Sequence, residues 1–426
     1  MTAPTTTVPR LHRLANGVTL LCDSAPGFDT LALSVVAGRG ARWEEPSRSG
    51  WSHLLEHMVF KGAGGRSARD IVEAIEADGG QLNAATGHER TSFQVRALRG
   101  GLPLSMEILA DLVRRPTLDI EDLAKEKLVV GQEIAEAADT PDDQVFELAQ
   151  AAAFADQPLG RPILGDVASL APANAVALEA WRAALYAPDR LVVSVAGAAD
   201  EDVFLTLAER LFGDAAAMAA AAPPVARFTG GHAAERRKLE QAHLVILLPA
   251  PGVSDPGYWP LRVFAEALGG GMSSRLFQEA RERLGLAYAI DAYAESYADV
   301  GVLGVYAGCG AADAGRLAEV TATQIRALAD RIDDRELRRA KAQLKASLFM
   351  SRESLLARSE QAAAQILAFG RLLAPADIAA GIDAVTAVDI AALGRRLLSP
   401  GRATVSVLGP KAAMDAARRF DAVIAA

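Results

Sequence analysis

The stretch Ser52–Gly62 reads SHLLEHMVFKG and holds two of the chain's six histidines, His53 and His57, with Glu56 beside the second. Residues four apart in an α-helix stand one turn apart on one face, so both imidazoles can aim at a common point, and Glu56 borders that face. Two readings are open for such a patch. One is a half-buried helix whose polar residues cluster without chemistry. The other is a metal centre: imidazole nitrogens suit zinc, and a catalytic zinc takes three protein ligands and keeps a further position for water. The third ligand then has to come from a distant segment. The candidate is Glu121–Pro141, EDLAKEKLVVGQEIAEAADTP, because its Glu126 and Glu133 are seven residues apart and face the same way two turns along a helix.

The elements that must position these groups are legible around them. Asn16-Gly17, within LANGVTLLCDSA, is a hairpin signal, since a two-residue turn needs the positive φ that Asn and Gly accept. A strand over TLALSVVAG follows, then the helix bearing HLLEH, then a helix over SARDIVEAIEADGG closed by Gly79-Gly80, then paired strands in QLNAATGHERTSFQVRAL. From Leu102 to about Phe154 the pattern is helical, with Pro116 and Pro141 as breaks. PDRLVVSVAG, Pro188–Gly197, reads as one more buried strand.

That strand has a counterpart near the C-terminus. APDRLVVSVAG and SPGRATVSVLG share Pro, Arg, two Val, Ser and Gly at an offset of 399 − 187 = 212 residues, close to half of the 426-residue chain. A strand AHLVILLPA, a helix YWPLRVFAEALGGG and paired strands in LAYAIDAYAESYADVGVLGVYAG repeat the earlier order, which predicts two copies of one fold. Carrying His53, Glu56 and His57 forward by the same offset lands on Ala265, Leu268 and Gly269, so any chemistry belongs to the first copy alone. Between the copies DAAAMAAAAPPVARFTGG reads as a linker: its alanines can extend the preceding helix, and its Pro and Gly residues break it.

The totals agree with two domains, because 426 residues exceed the roughly 250–300 at which a single core stops growing. Half of the residues are apolar (51%) and 23% are charged, a composition that can build cores. A net charge of −9 offers no electrostatic footprint for nucleic acid or an anionic membrane. Cys22 and Cys309 sit in apolar strand-like runs and read as buried thiols. The first residues, MTAPTTTVPRLHRL, lack the pattern of a secretory signal, and no apolar run approaches the roughly 20 residues of a membrane span, so a soluble, cytoplasmic protein is expected. LGGGMSSRLF lacks the Lys-Ser/Thr ending of a phosphate loop and reads as a helix cap and turn. His12, His88, His232 and His243 have no ligand partners at useful spacing.

HLLEH followed by the glutamate of VGQEI resembles the pitrilysin family of zinc peptidases, which includes insulin-degrading enzyme and mitochondrial processing peptidase; the inverted H-x-x-E-H motif marks the inverzincins. LANGVTLL, GGQLNAATGHERTSF, QEIAEAADTPDD, LGGGMSSRLFQEARERLGLAY and PDRLVVSVAG are similar to family landmarks in family order, over nearly the whole chain. The length is that of a half-length, bacterial-type member. The resemblance implies an α+β architecture of two homologous α/β-layered domains, each a largely antiparallel mixed sheet packed with helices, as in processing peptidase. Residues 1–213 would form the zinc-binding domain, 214–237 a linker, and 238–426 a homologous domain without metal ligands.

By the same resemblance His53, His57 and Glu133 hold one zinc per chain, Glu56 is the general base and Glu126 a carboxylate that supports the ligands. Arg281 and Tyr288 of ARERLGLAY read by themselves as a salt-bridging arginine and a packed tyrosine; the resemblance makes them substrate contacts near the scissile bond. QLNAATG becomes an exposed edge, with Asn83 and Ala84 accepting substrate as an added strand. The expected function is a zinc-dependent endopeptidase that hydrolyses unfolded peptides or small polypeptides in a closed chamber formed by a dimer. The partner expected is a second copy of the chain, each site borrowing Arg281 and Tyr288 from the opposite subunit; a heterodimer whose two polypeptides divide these sets is the other arrangement. A different class, a non-catalytic scaffold or assembly subunit of the same fold as in respiratory-complex core proteins, is opposed by the intact His53, Glu56, His57 and Glu133.

Overall fold

The computed structural model describes residues 8–216, 222–398 and 402–425, and they divide into two compact units. The first comprises Met1–Ile134, Pro162–Pro224 and Phe349–Ala374. Its sheet is built from β1 (Arg10–Arg13), β2 (Thr19–Ser24), β3 (Thr30–Ala37), β6 (Gln81–Thr86), β7 (Thr91–Leu98) and β8 (Leu191–Gly197), in the order β1-β2-β8-β3-β7-β6. A small ribbon joins β4 (Gly62–Ala63) to β5 (Arg66–Ser67). The hairpin that the Asn-Gly pair predicts joins β1 to β2, with Arg13 opposite Thr19, but over residues 14–18 rather than a two-residue turn, and with only Gly17, at φ +99°, at positive φ there.

β3 and β8 are buried along nearly their whole length, because the sheet is covered on both sides. Successive side chains of a strand point to opposite faces. Leu33 and Val35 of β3 therefore meet one layer, formed by α1 (Trp51–Val59), α3 (Leu102–Arg114), α7 (Ala175–Leu185) and α8 (Glu201–Phe212). Val36 of β3 and Val192 of β8 meet the other, where Ala362, Ala363 and Ile366 of α12 (Leu355–Phe369) lie. The unit is completed by α2 (Ala68–Ala77), α6 (Val167–Leu170) and the part of α4 (Ile120–Asp139) up to Ile134.

The second unit comprises Ala135–Arg161, Val225–Leu348 and Pro375–Ala426. Its strands are β9 (Gly231–Arg236), β10 (Gln241–Ala250), β11 (Ala287–Ser296), β12 (Gly301–Gly310) and β13 (Thr404–Gly409), in the order β11-β12-β10-β13-β9. Its helices are α5 (Pro141–Ala153), α9 (Tyr258–Gly269), α10 (Ala314–Asp330), α11 (Asp334–Ser351, to Leu348), α13 (Pro375–Ala384), α14 (Ala387–Leu397) and α15 (Ala416–Ile424).

The duplication read from VVSVAG and TVSVLG is visible in the pairing. Leaving aside β1, substituting β9, β10, β11, β12 and β13 for β2, β3, β6, β7 and β8 turns the first strand order into the second, read from its other end. The directions match as well: β2 with β8 and β9 with β13 are the parallel pairs, and every other pair is antiparallel. The fold is thus two related layered units, each with a largely antiparallel mixed sheet.

Two features differ from a division into contiguous halves. The linker expected over 214–237 is shorter, since Gly231–Arg236 forms strand β9 alongside β13; its polar, weakly patterned sequence, GHAAER, hides a strand whose pairing comes from tertiary contact. Residues 217–221, within the alanine run expected to extend the preceding helix, lie outside the described residues, and α8 ends at Phe212. The units also exchange helices. In the second unit the outer layer over β10 and β13 is α5, with Val145, Ala149 and Ala153 against Val245, Leu247 and Leu408, although α5 comes from the first half of the chain. In the first unit that place is taken by α12, from the second half.

The exchanged α12 is bound by more than apolar contact. Ser359 Oγ donates to the carbonyl of Ser194 at 2.8 Å, and Arg358 grips Asp23 through two nitrogens, at 2.8 and 2.6 Å. Asp23 is 2% exposed, so its charge was taken out of water for that guanidinium. Arg358→Ala is expected to lower the unfolding free energy by about 3–5 kcal/mol, the range for breaking one side of a buried pair, as read by denaturant titration. Cys22 and Cys309 are free and buried, and burial pushes both thiols up to about 12. Among the described residues no helix is long and apolar enough to cross a membrane.

Candidate metal centre

α1 carries its apolar residues on one side: Leu54, Leu55, Met58 and Val59 are fully buried. Burying side chains of this size stabilises the helix by roughly 1.5–3 kcal/mol each, so the polar side is fixed in space without having to pack for itself. On that side His53, Glu56 and His57 are half-buried, and the two imidazole rings stand 4.6 Å apart between centroids.

Glu133 arrives from α4. Its Oε2 lies 3.8 Å from His53 Nε2 and 3.5 Å from His57 Nε2. One donor atom from each of His53, His57 and Glu133 falls within 4.8 Å of the others; among the described residues no other group of His, Cys, Asp and Glu is so placed. Nitrogen and oxygen ligands sit about 2.0–2.2 Å from zinc, which puts them roughly 3–4 Å from one another, so these three donors fit a zinc ion.

The chemistry of the donors fits as well. Burial, and secondarily the neighbouring His57, lower the pKa of His53 to about 4, leaving the neutral imidazole that can ligate. Glu126 is 5% exposed and places Oε2 3.1 Å from His57 Nδ1, which fixes the tautomer whose Nε2 lone pair faces Glu133. The other oxygen of Glu126 is 2.7 Å from Lys61 Nζ. Sequence reasoning missed Lys61, which lies in the turn after α1 ends at Val59.

Glu56 is held from a different element. Thr86 Oγ1, at the end of β6, donates to Glu56 Oε2 at 2.5 Å. Burial raises the carboxyl pKa of Glu56, and the Thr86 hydrogen bond opposes that rise. Nothing in the spacing of the sequence points to Thr86, since only the register of β6 brings it beneath α1. Asn83 and Ala84 lie on the same strand, exposed and half-buried respectively, and pair with Gln94 and Phe93 of β7. β6 is the edge of its sheet, so its other side is not taken by a strand of this unit.

In the second unit the corresponding helix is closed to chemistry. Ala265, Leu268 and Gly269 are buried, and a Cβ built on Gly269 would stand 2.4 Å from the backbone nitrogen of Ala292. α9 therefore rests on β11 at backbone distance, where α1 keeps room for side chains.

Arg281 and Tyr288 lie in that unit. Arg281 is on a π-helical turn, Phe277–Arg283, with its guanidinium carbon 4.7 Å from the centre of the Phe277 ring and its Nε 3.9 Å from Glu282. Gly285, at φ +62°, ends the turn. Tyr288 is the extra residue of a bulge: Ala287 faces Cys309 and Ala289 faces Gly308, which leaves Tyr288 without an opposite and 69% exposed. Bulges re-aim a side chain in this way. Arg281 thus keeps an ion pair, with Glu282, and adds a cation over the Phe277 ring, while the expected packed tyrosine is replaced by an outward phenol. His12 pairs with Glu201 at 2.8 Å, His232 with Asp421 at 2.7 Å and His243 with Tyr306 at 3.0 Å.

The sequence matches two family descriptions: "Insulinase (Peptidase family M16)" over residues 20–167 and "Peptidase M16 inactive domain" over residues 173–344. It is 35% identical over 401 residues to a protein of Rickettsia bellii named an uncharacterized zinc protease, covering 94% of this chain and 97% of that one. A protein of Bacillus subtilis with the same description is 36% identical over 386 residues, 90% of this chain and 94% of its own. In fold, a crystal structure of a protease from Helicobacter pylori superposes with a TM-score of 0.86 at 19% identity, over 95% of this chain and all (100%) of that one. A Pseudomonas fluorescens structure titled as a peptidase M16 inactive domain gives 0.86 at 18%, over 95% and 98%.

Proposed function

We propose, from the premise that this chain belongs to the insulinase family of peptidases, family M16, that it is a zinc-dependent endopeptidase acting on unfolded peptides. The observation that carries the reading is the convergence of Glu133 on His53 and His57 with Glu56 on the same helix. His53, His57 and Glu133 hold the ion. A zinc ion held there would supply Lewis-acid chemistry, polarising a scissile carbonyl and making water nucleophilic near neutral pH. Glu56 takes the proton of the attacking water and returns it to the leaving nitrogen. Thr86 engages Oε2 of Glu56 and so aims the other oxygen, while Glu126 and Lys61 keep His57 in its ligating tautomer.

Substrate adds to the sheet as a strand along β6, at Asn83 and Ala84. Main-chain hydrogen bonds then supply the affinity, and side-chain rules are weak. Arg281 and Tyr288 donate to the charge that develops on the carbonyl oxygen. One chain holds both the ligand set and this pair, which supports a homodimer in which each site takes Arg281 and Tyr288 from the opposite subunit. The two free thiols suit a cytoplasmic location.

The test of sharing is a mixture. Glu56→Gln and Arg281→Ala chains, each inactive alone against a fluorogenic unfolded peptide, are expected to recover about a quarter of wild-type activity on co-refolding, because half of the dimers then carry one intact site. A mixture of proven heterodimers that stays inactive places Arg281 outside the opposite site.

A further inference from the structure

α1 begins without a side chain of its own N-cap to hold its first amides. The amides of a first helical turn have no intrahelical acceptor, and most helices satisfy one of them with a Ser, Thr, Asp or Asn side chain at the N-cap. Ser67, Asn174, Asp200, Ser354 and Thr386 do this elsewhere in the chain. The N-cap of α1 is Gly50, at φ +87°, which has no side chain to offer. None could be accommodated: a Cβ there would stand 2.3 Å from the Leu164 carbonyl oxygen, and one on Gly165 would stand 2.2 Å from that of Ser49. The close approach of these two segments fixes the position of the helix and forbids a local cap.

The missing acceptor comes from Glu44. Its Oε2 accepts from the Gly50 amide at 2.8 Å and its Oε1 from the Ser52 amide at 2.7 Å, and the residue is 3% exposed. Ser52 precedes His53 directly. Glu44 is itself tied to the strand side of the site. Ala41 and Arg42 donate their amides to the carbonyls of Gly87 and His88 at 3.0 and 2.8 Å, in the turn that follows Thr86, and the Arg42 guanidinium meets Glu89 at 2.5 Å. One short segment, Ala41–Glu44, thus joins the end of β6, where Thr86 holds Glu56, to the start of the helix that carries His53, Glu56 and His57.

We propose that Glu44 is a positioning residue: its buried carboxylate, acting through the Gly50 and Ser52 amides, sets the placement of α1 relative to β6 and so the aim of His53, His57 and Glu56. The proposal rests on the zinc reading above for its consequence and on the two amide bonds for its geometry. An anion at a helix N-terminus is favoured by the helix dipole, so the contact is also electrostatically apt.

Glu44→Gln keeps size but turns an amide NH2 toward a backbone N–H. Glu44→Asp keeps the charge but reaches one amide at most, and serves if the first variant does not fold. Ser359→Ala, which removes the α12 bond to Ser194, is the control for general destabilisation. Zinc affinity by competition with a chromophoric chelator is expected to fall about tenfold or more in the Glu44 variants, with a shifted visible spectrum of the cobalt-loaded protein, while Ser359→Ala keeps both. Amide exchange in the metal-free proteins should quicken over residues 51–58 in the Glu44 variants alone. Unchanged exchange there overturns the proposal, as does an equal response of Ser359→Ala. If wild-type protein takes up no zinc, the functional reading fails, and the exchange experiment still decides the role of Glu44.

Discussion

Glu56→Gln is expected to lower peptide turnover by about 10²- to 10⁴-fold, the span attributed to a positioned general base, with metal content and melting temperature unchanged. The substitution is nearly isosteric, and the glutamine carbonyl oxygen can accept the Thr86 hydroxyl as Glu56 Oε2 does at 2.5 Å. Glu56 is not among the three converging donors, so uptake of the ion does not depend on it. What the amide lacks is the ability to take a proton, and the expected loss is therefore in kcat rather than in KM. Turnover of peptide with the variant within threefold of wild type would remove Glu56 from the reaction, and with it the proposed mechanism.

The same residues show how far the sequence could be read. His53 and His57 declare themselves because an i, i+4 pair has one geometry in a helix. Glu126 and Glu133 are a harder case: a heptad preserves the face but separates the residues by about 10 Å along the axis, and spacing by itself does not say which of them meets the imidazoles on the ligand side. In the structure each meets a different nitrogen of His57, Glu126 at Nδ1 and Glu133 at Nε2. The family resemblance implies only that Glu133 is a ligand and Glu126 a supporting carboxylate; it is α4 that brings both to the same ring. Thr86, Lys61 and Glu44 carry no comparable signal. Thr86 and Glu44 reach α1 through strand register and through a turn, neither of which has a sequence period.

At the level of the fold, VVSVAG and TVSVLG betray the duplication because a strand buried on both faces tolerates little but small and β-branched apolar residues. The exchange of α5 and α12 was not legible for a related reason. Two sheets with one pattern offer equivalent apolar faces, so an amphipathic helix carries no mark of which sheet it covers. β9 was lost because GHAAER is polar and alternates only weakly. Its place beside β13 repeats the parallel pairing that β2 makes with β8 in the first unit.

The metal donors themselves should respond in a graded way. Glu133→Ala deletes one of the three converging donors, and zinc binding is expected to be lost together with hydrolysis, since two imidazoles on one helix would leave an ion mostly to water. Glu126→Gln leaves an oxygen for His57 Nδ1 but removes the charge that strengthens that bond and pairs with Lys61, and its affinity is expected to fall about 10- to 100-fold, the usual cost of disturbing a group that orients a ligand. The distinction shows in the rescue. Activity of Glu126→Gln should return as zinc is raised toward its weakened affinity, whereas Glu133→Ala should stay inactive at any zinc concentration that leaves the wild type soluble and active. Lys61→Met tests the next link, because Lys61 Nζ is 2.7 Å from the other oxygen of Glu126, and its loss should reduce affinity less than Glu126→Gln does. If instead Glu126→Gln abolishes zinc binding and Glu133→Ala retains it, the two carboxylates have exchanged roles, and the ion is held on the Nδ1 side of His57 rather than where His53 and His57 Nε2 converge.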